Sequence, residues 1–208
     1  MRIIDITYEI CNNTPVWPGS ENPKIHGEEM KVEGHTIHTT KISMTTHTGT
    51  HVDFPGHMRE DYAGGEDKLS ALCGKCIVCP WPKDADELKK HVEKFSKEAR
   101  KRILFKINEG DAPLEKLYSL PKNPIPADVL KYLLDEGMVL IGMDACSADP
   151  PQSKDFPAHK KLFENNCYII ENLNLSGAEF GEYELFCLPL PLKEARDGAP
   201  CRAVLVKR

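Results

Sequence analysis

Short apolar, β-branched runs recur along the chain: RIIDIT at 2–7, TIHTTKISM at 36–44, KCIVCP at 75–80, RILFKI at 102–107, MVLIGMD at 138–144, CYIIENL at 167–173 and CRAVLVKR at 201–208. Runs of this length and residue type predict strands. Between them, ADELKKHVEKFSKEARKR (85–102) and PADVLKYLLDEG (126–137) repeat apolar residues at helical spacing. The second has Pro126 near its start and Gly137 just past its end, the expected asymmetry of helix punctuation. Because it leads at once into MVLIGMDA, it reads as a crossover feeding a parallel strand. The order of elements predicts a mixed α/β domain with a partly parallel sheet. Two proline-rich pieces, TPVWPGSENP and YSLPKNPIP, are expected as ordered loops. No repeat or internal boundary is visible, and 208 residues suit a single domain over 1–208.

Charge and composition narrow the classes. A net charge of -5 argues against a general nucleic-acid binder, which needs a basic face to neutralise phosphates. The lysines from Lys89 to Arg102 alternate with glutamates and read as a solvated helix. Neither a signal peptide nor a run of about 18 apolar residues is present, so a soluble, cytoplasmic protein without a membrane partner is expected. The eight cysteines sit mostly inside apolar runs and read as reduced, buried thiols. Cys73, Cys76 and Cys79 have the spacing of half a zinc site, but no second pair follows. On a strand Cys76 and Cys79 point to opposite faces, so packing is the preferred reading.

The stretch with the densest chemistry is MTTHTGTHVDFPGH, Met44 to His57. His47, His51, Asp53 and His57 are all odd-numbered, and on a strand every second side chain points the same way. A straight strand would nevertheless hold the Cα atoms of His47 and His51 about 13 Å apart, near the limit for sharing one ion. The chain therefore has to bend, and Gly49 supplies the freedom; Pro55-Gly56 can then turn His57 back toward the same pocket. The plain alternative is a polar face of histidines meeting solvent. Two histidines and an aspartate around a glycine favour a metal centre, with zinc or manganese suited to this ligand set. Downstream, His159 and Glu171 are further candidates. An acid at the end of CYII is costly to bury unless paired or bound to a cation, and otherwise meets solvent or a lysine.

These residues resemble the cyclase-like metal-dependent hydrolase family, which includes bacterial kynurenine formamidases and isatin hydrolases. The family's H-x-G-T-H-x-D-x-P-x-H signature is complete here as HTGTHVDFPGH, and the similarity extends through PVWPG, GMDACSADP, SKDFPAH, IIENLNL, LPLPL and GAPCRAVLV. The resemblance implies that His47, His51 and Asp53 bind a first ion, with Asp53 able to bridge to a second. It further implies that His159 and Glu171 complete the site, that His57 is the acid/base and that Trp17 lines the substrate pocket. The implied fold is a swivelling β/β/α domain assembled as homodimers or larger homo-oligomers, with one or two Zn2+ or Mn2+ ions per chain. The implied reaction is hydrolysis of a small-molecule amide, an aryl formamide such as N-formylkynurenine. Alternatives are ring opening of a cyclic amide or lactone such as isatin, and a metal-dependent binding protein without turnover, against which a spare imidazole at His57 counts. Phe54 and Met58 depart from the small residue and phenylalanine common in the formamidases, so Phe54 is expected to narrow the pocket and the substrate stays open.

Overall fold

The computed structural model describes residues 1–62, 69–108 and 112–207; Arg208, at the end of the expected last strand, lies outside them. Among the described residues ten strands form: β1 (Arg2–Asp5), β2 (Lys24–Val32), β3 (His35–Ser43), β4 (His51–Asp53), β5 (Cys73–Pro80), β6 (Arg102–Lys106), β7 (Leu140–Met143), β8 (Tyr168–Glu171), β9 (Gly181–Pro189) and β10 (Gly198–Lys207). The helices are α1 (Leu69–Leu72), α2 (Ala85–Val92), α3 (Lys97–Arg100), α4 (Leu114–Leu117), α5 (Ala127–Asp135) and α6 (Pro157–Glu164).

Eight strands make one mixed sheet in the order β1-β10-β4-β8-β7-β6-β5-β9, and β9 also pairs with β10, so the sheet closes on itself into a barrel. The run β5-β6-β7-β8 is parallel, with α5 crossing from β6 to β7 as its Pro126 and Gly137 punctuation predicts. Period-two alternation sorts the side chains into two cores. Val52, Phe54, Cys76, Val78, Leu104, Tyr168 and Ile170 fill the barrel interior, whereas Ile77, Cys79, Ile103, Phe105, Ile141 and Ile169 face outward under α2, α5 and α6. The strands β2 and β3 pair only with each other, as an exposed ribbon.

The helical reading of 85–102 needs correction. α2 ends at Val92, and the chain restarts as α3 where Ser96 accepts a hydrogen bond from the Ala99 amide at 3.2 Å. Arg102 already belongs to β6. A serine cap inside a charged helical pattern begins a new helix more readily than it prolongs the old one.

Cys76 and Cys79 are buried on opposite faces of β5, one in each core, and no disulfide joins the eight thiols. Cys11 is exposed and Cys73 half-buried, which departs from the expectation of burial throughout. Replacing Cys76→Val together with Cys79→Ala should therefore cost at most a few kcal/mol through altered volume and leave metal content unchanged. Denaturant unfolding and metal analysis check this, and loss of one ion per chain would contradict it.

Candidate metal centre

The site lies on the outer face of β4 and β8. His51 stands directly opposite Glu171 in the antiparallel register, and Asp53 follows two residues on, so three candidate side chains share one patch of sheet. His159 arrives from α6, which packs on β8. His47 precedes β4, and Gly49 at φ +65° makes the bend that returns it; an added Cβ there would sit 2.9 Å from Ile10. The histidine rings of residues 47 and 51 consequently lie 5.0 Å apart. His57 follows a single 3-10 turn, Pro55–His57, in which Gly56 passes so close to the Arg196 carbonyl that a Cβ would lie 2.1 Å from it.

Buried polar atoms crowd here. His51 Nε2 lies 3.1 Å from Asp53 Oδ1 and 3.6 Å from Glu171 Oε2. His159 Nε2 lies 3.3 Å from Glu171 Oε1 and 3.5 Å from Asp53 Oδ2. Each imidazole is held by its other nitrogen. His51 Nδ1 is 2.8 Å from the Gly49 carbonyl, which only accepts, so Nδ1 carries a proton and Nε2 is the nitrogen left to take an ion. That Nε2 is buried without a hydrogen-bond partner. A nitrogen set against two carboxylate oxygens needs a proton or a cation between them, and buried nitrogen and carboxylate donors in this arrangement fit a divalent ion.

His159 Nδ1 is 2.7 Å from Asp149 Oδ2, the carboxylate–histidine arrangement that orients metal ligands. His47 sits between two acids, with Nδ1 2.8 Å from Asp53 Oδ1 and Nε2 3.0 Å from Asp197 Oδ2. Two triads, His51-Asp53-Glu171 and His47-Asp53-His57, each bring their ligand atoms within 4.8 Å of one another and share Asp53.

The electrostatics agree. Burial alone would lower the pKa of His47, but Asp53 and Asp197 outweigh it and raise it to about 10. Burial likewise works against charged His159, yet Asp149, Asp53 and Glu171 push its pKa well up. Asp53, despite complete burial, is driven well below the usual carboxylate range by His47 and His51. Protons on histidines here supply the positive charge that the acids demand and that an ion would supply instead.

His57 behaves differently. The protein wall around it disfavours the charged form and, with His47 and His159 nearby, lowers its pKa, which favours the uncharged ring. Its ring centre lies 4.2 Å from that of His47 with the two planes tilted by 38°, and the side chain keeps an exposed edge. His47, His51, Asp53, His57, His159, Glu171 and Asp197 face one cavity of about 810 Å³, whose wall includes Trp17, Met44, Tyr118 and Phe156.

The expected residues His47, His51, Asp53, His57, His159, Glu171 and Trp17 thus come together at this cavity. Phe54 does not. Next to Asp53 on an extended strand it points the opposite way, into the barrel, where its ring meets Tyr168 at 6.1 Å. Asp197 was not legible as a site residue, lying 150 residues from the histidine it holds, and Asp149, ten residues before His159, has no local pattern that ties it to that ring.

The family model described as "Putative cyclase" matches residues 4–150. Kynurenine formamidase from Bacillus cereus is 33% identical over 203 residues, covering 97% of this chain and 96% of that protein. Kynurenine formamidase from Salinibacter ruber is 33% identical over 208 residues, covering 99% and 97%. A solved structure described as a "potential metal-dependent hydrolase with cyclase activity" superposes with a TM-score of 0.73 at 26% identity, covering 100% of this chain and 99% of that one. An isatin hydrolase bound to the product analogue thioisatinate reaches a TM-score of 0.79 at 22% identity, covering 99% and 92%, and shares the fold. With a matching family model over most of its length and relatives a third identical from end to end, this chain belongs to the cyclase family.

Proposed function

We propose that the protein is a metal-dependent hydrolase that cleaves an aryl formamide such as N-formylkynurenine to the amine and formate. The observation that carries the reading is the unpaired His51 Nε2 facing Asp53 and Glu171 in a cavity that also presents His57. Full-length kinship to kynurenine formamidases supplies the substrate class. The proposed ligands are His47, His51, Asp53, His159 and Glu171, for one or two zinc or manganese ions; the two triads sharing Asp53 support two positions. Such an ion polarises an amide carbonyl and acidifies water.

The chain's own groups do the rest. His57, its uncharged form favoured, accepts a proton from the attacking water and returns it to the leaving nitrogen, without which an aniline departs poorly. Trp17 and its aromatic neighbours offer flat walls to the aryl ring and keep water from the reacting carbon. Asp149 and Asp197 fix the orientation of His159 and His47.

The whole chain is proposed to work as one catalytic domain in the cytoplasm; among the described residues no helix is long and apolar enough to cross a membrane. Exposed Phe186, Leu188, Leu190 and Leu192 support assembly as a homodimer or larger homo-oligomer. The reaction is tested by measuring kcat/KM for N-formylkynurenine beside isatin on metal-loaded protein. Preference for N-formylkynurenine is expected; faster opening of isatin would transfer the reading to cyclic amides, and turnover of neither would leave a binding protein.

A further inference from the structure

Glu171 and Asn172 are consecutive, yet both line the cavity. An extended strand forbids this, because neighbouring side chains point to opposite faces. The exception is built into the backbone: Asn172 has φ +55°, a left-handed conformation that asparagine tolerates better than most residues, and the turn re-aims its side chain. The backbone is fixed there, with the Asn172 amide donating to Ala145 O at 2.8 Å and Thr50 Oγ1 donating to Asn172 O at 2.5 Å.

The side chain is fixed as well. Asn172 Nδ2 donates to the Gly49 carbonyl at 3.1 Å, and since a carbonyl only accepts, the amide cannot be flipped. The same oxygen takes the His51 proton, so Gly49 O ties Asn172 to the metal centre. Asn172 Oδ1 is left over. The residue is 1% exposed and Oδ1 has no hydrogen-bond partner. A buried acceptor without a donor costs free energy, and because Asn172 belongs to the cavity wall a ligand can supply the missing donor.

We propose that Asn172 Oδ1 is a substrate subsite that accepts the N–H of a secondary amide. Its place beside Glu171 suits a substrate whose carbonyl faces the histidine and carboxylate cluster while its nitrogen proton turns to the Asn172 side. A tertiary amide has no such proton and leaves the acceptor unpaired. Held from both ends, the carboxamide needs no reorganisation on binding, so the subsite selects for N–H at little entropic cost. The inference rests on the amide-hydrolase reading above, and its test separates the two.

The test compares formanilide with N-methylformanilide on metal-loaded wild type and Asn172→Gly, by calorimetric binding and by turnover. Glycine accepts the left-handed backbone and removes the carboxamide. Wild type should bind formanilide about 10–100-fold more tightly, the loss that accompanies one buried acceptor left unpaired. In the variant the preference should vanish, with formanilide binding weakened by more than N-methylformanilide binding. A preference that vanishes because N-methylformanilide binds better would mean steric exclusion and overturn the subsite. A merely structural role would weaken both ligands equally and leave their ratio intact, which would overturn the subsite too. If the variant does not fold, equal binding by wild type still overturns the proposal. Preferred binding without cleavage would sustain the subsite and sink the hydrolase reading, whereas cleavage without preference would do the reverse.

Discussion

Substituting His51→Ala is expected to empty the metal centre and to lower turnover by at least about 10³-fold. The ring is buried between Asp53 and Glu171, its Nδ1 committed to Gly49 O and its Nε2 free for an ion. Alanine removes the nitrogen at the middle of the cluster and leaves the two acids facing a void. Stabilisation by a bound cation is worth several kcal/mol, and each ~1.4 kcal/mol is tenfold in rate, which sets the expected loss. Elemental analysis of protein purified without chelator, beside initial rates, checks both parts. Wild-type metal occupancy in this variant would remove His51 from the ligand set.

His57→Asn should separate chemistry from metal binding. Asparagine can still hydrogen-bond but cannot carry a proton, so turnover should fall by about 10²–10⁴-fold, the usual worth of general acid–base help. Metal content should stay near wild type. The geometry makes this a sharp test, because a ring nitrogen of His57 lies within 4.8 Å of ligand atoms on His47 and Asp53. Loss of an ion would make His57 a ligand, and near-normal turnover would take it out of the mechanism. Single-turnover rates are the fair comparison, since slow product release in the wild type would hide part of the effect.

Much of the centre was legible because it is local. His47 to His57 spans one bend, one short strand and one turn, each with its own residue signal, and odd-numbered parity placed the candidates on one face. The same parity, carried one step further, excludes Phe54, whose even number points it into the barrel. Glu171 was legible as an acid on an apolar run; that it stands opposite His51 depends on a strand pairing across more than a hundred residues.

Other elements left weaker traces. β9 mixes Glu182 and Glu184 with Phe186 and Leu188 on its outer face, so it offers neither a clean alternation nor a continuous apolar run, although it closes the barrel. α6 opens on Phe156 in a left-handed conformation without a local side-chain cap. Its first amides are taken instead by Asp149, at 3.0 Å from Ala158 N and 3.1 Å from His159 N. A cap supplied from nine residues away has no signature in a short window. That aspartate caps the helix and orients His159 at once, so missing the helix meant missing the residue behind the ligand.

A divalent ion in the buried cluster is proposed to be required for hydrolysis of an aryl formamide. Stripping the protein with chelator and titrating zinc or manganese back, with bound ions counted as formate is released from N-formylkynurenine, tests it most directly. The result expected is no turnover in the stripped protein and activity rising with bound metal to a plateau at one or two ions per chain. Undiminished turnover by protein shown to hold no ion would contradict it.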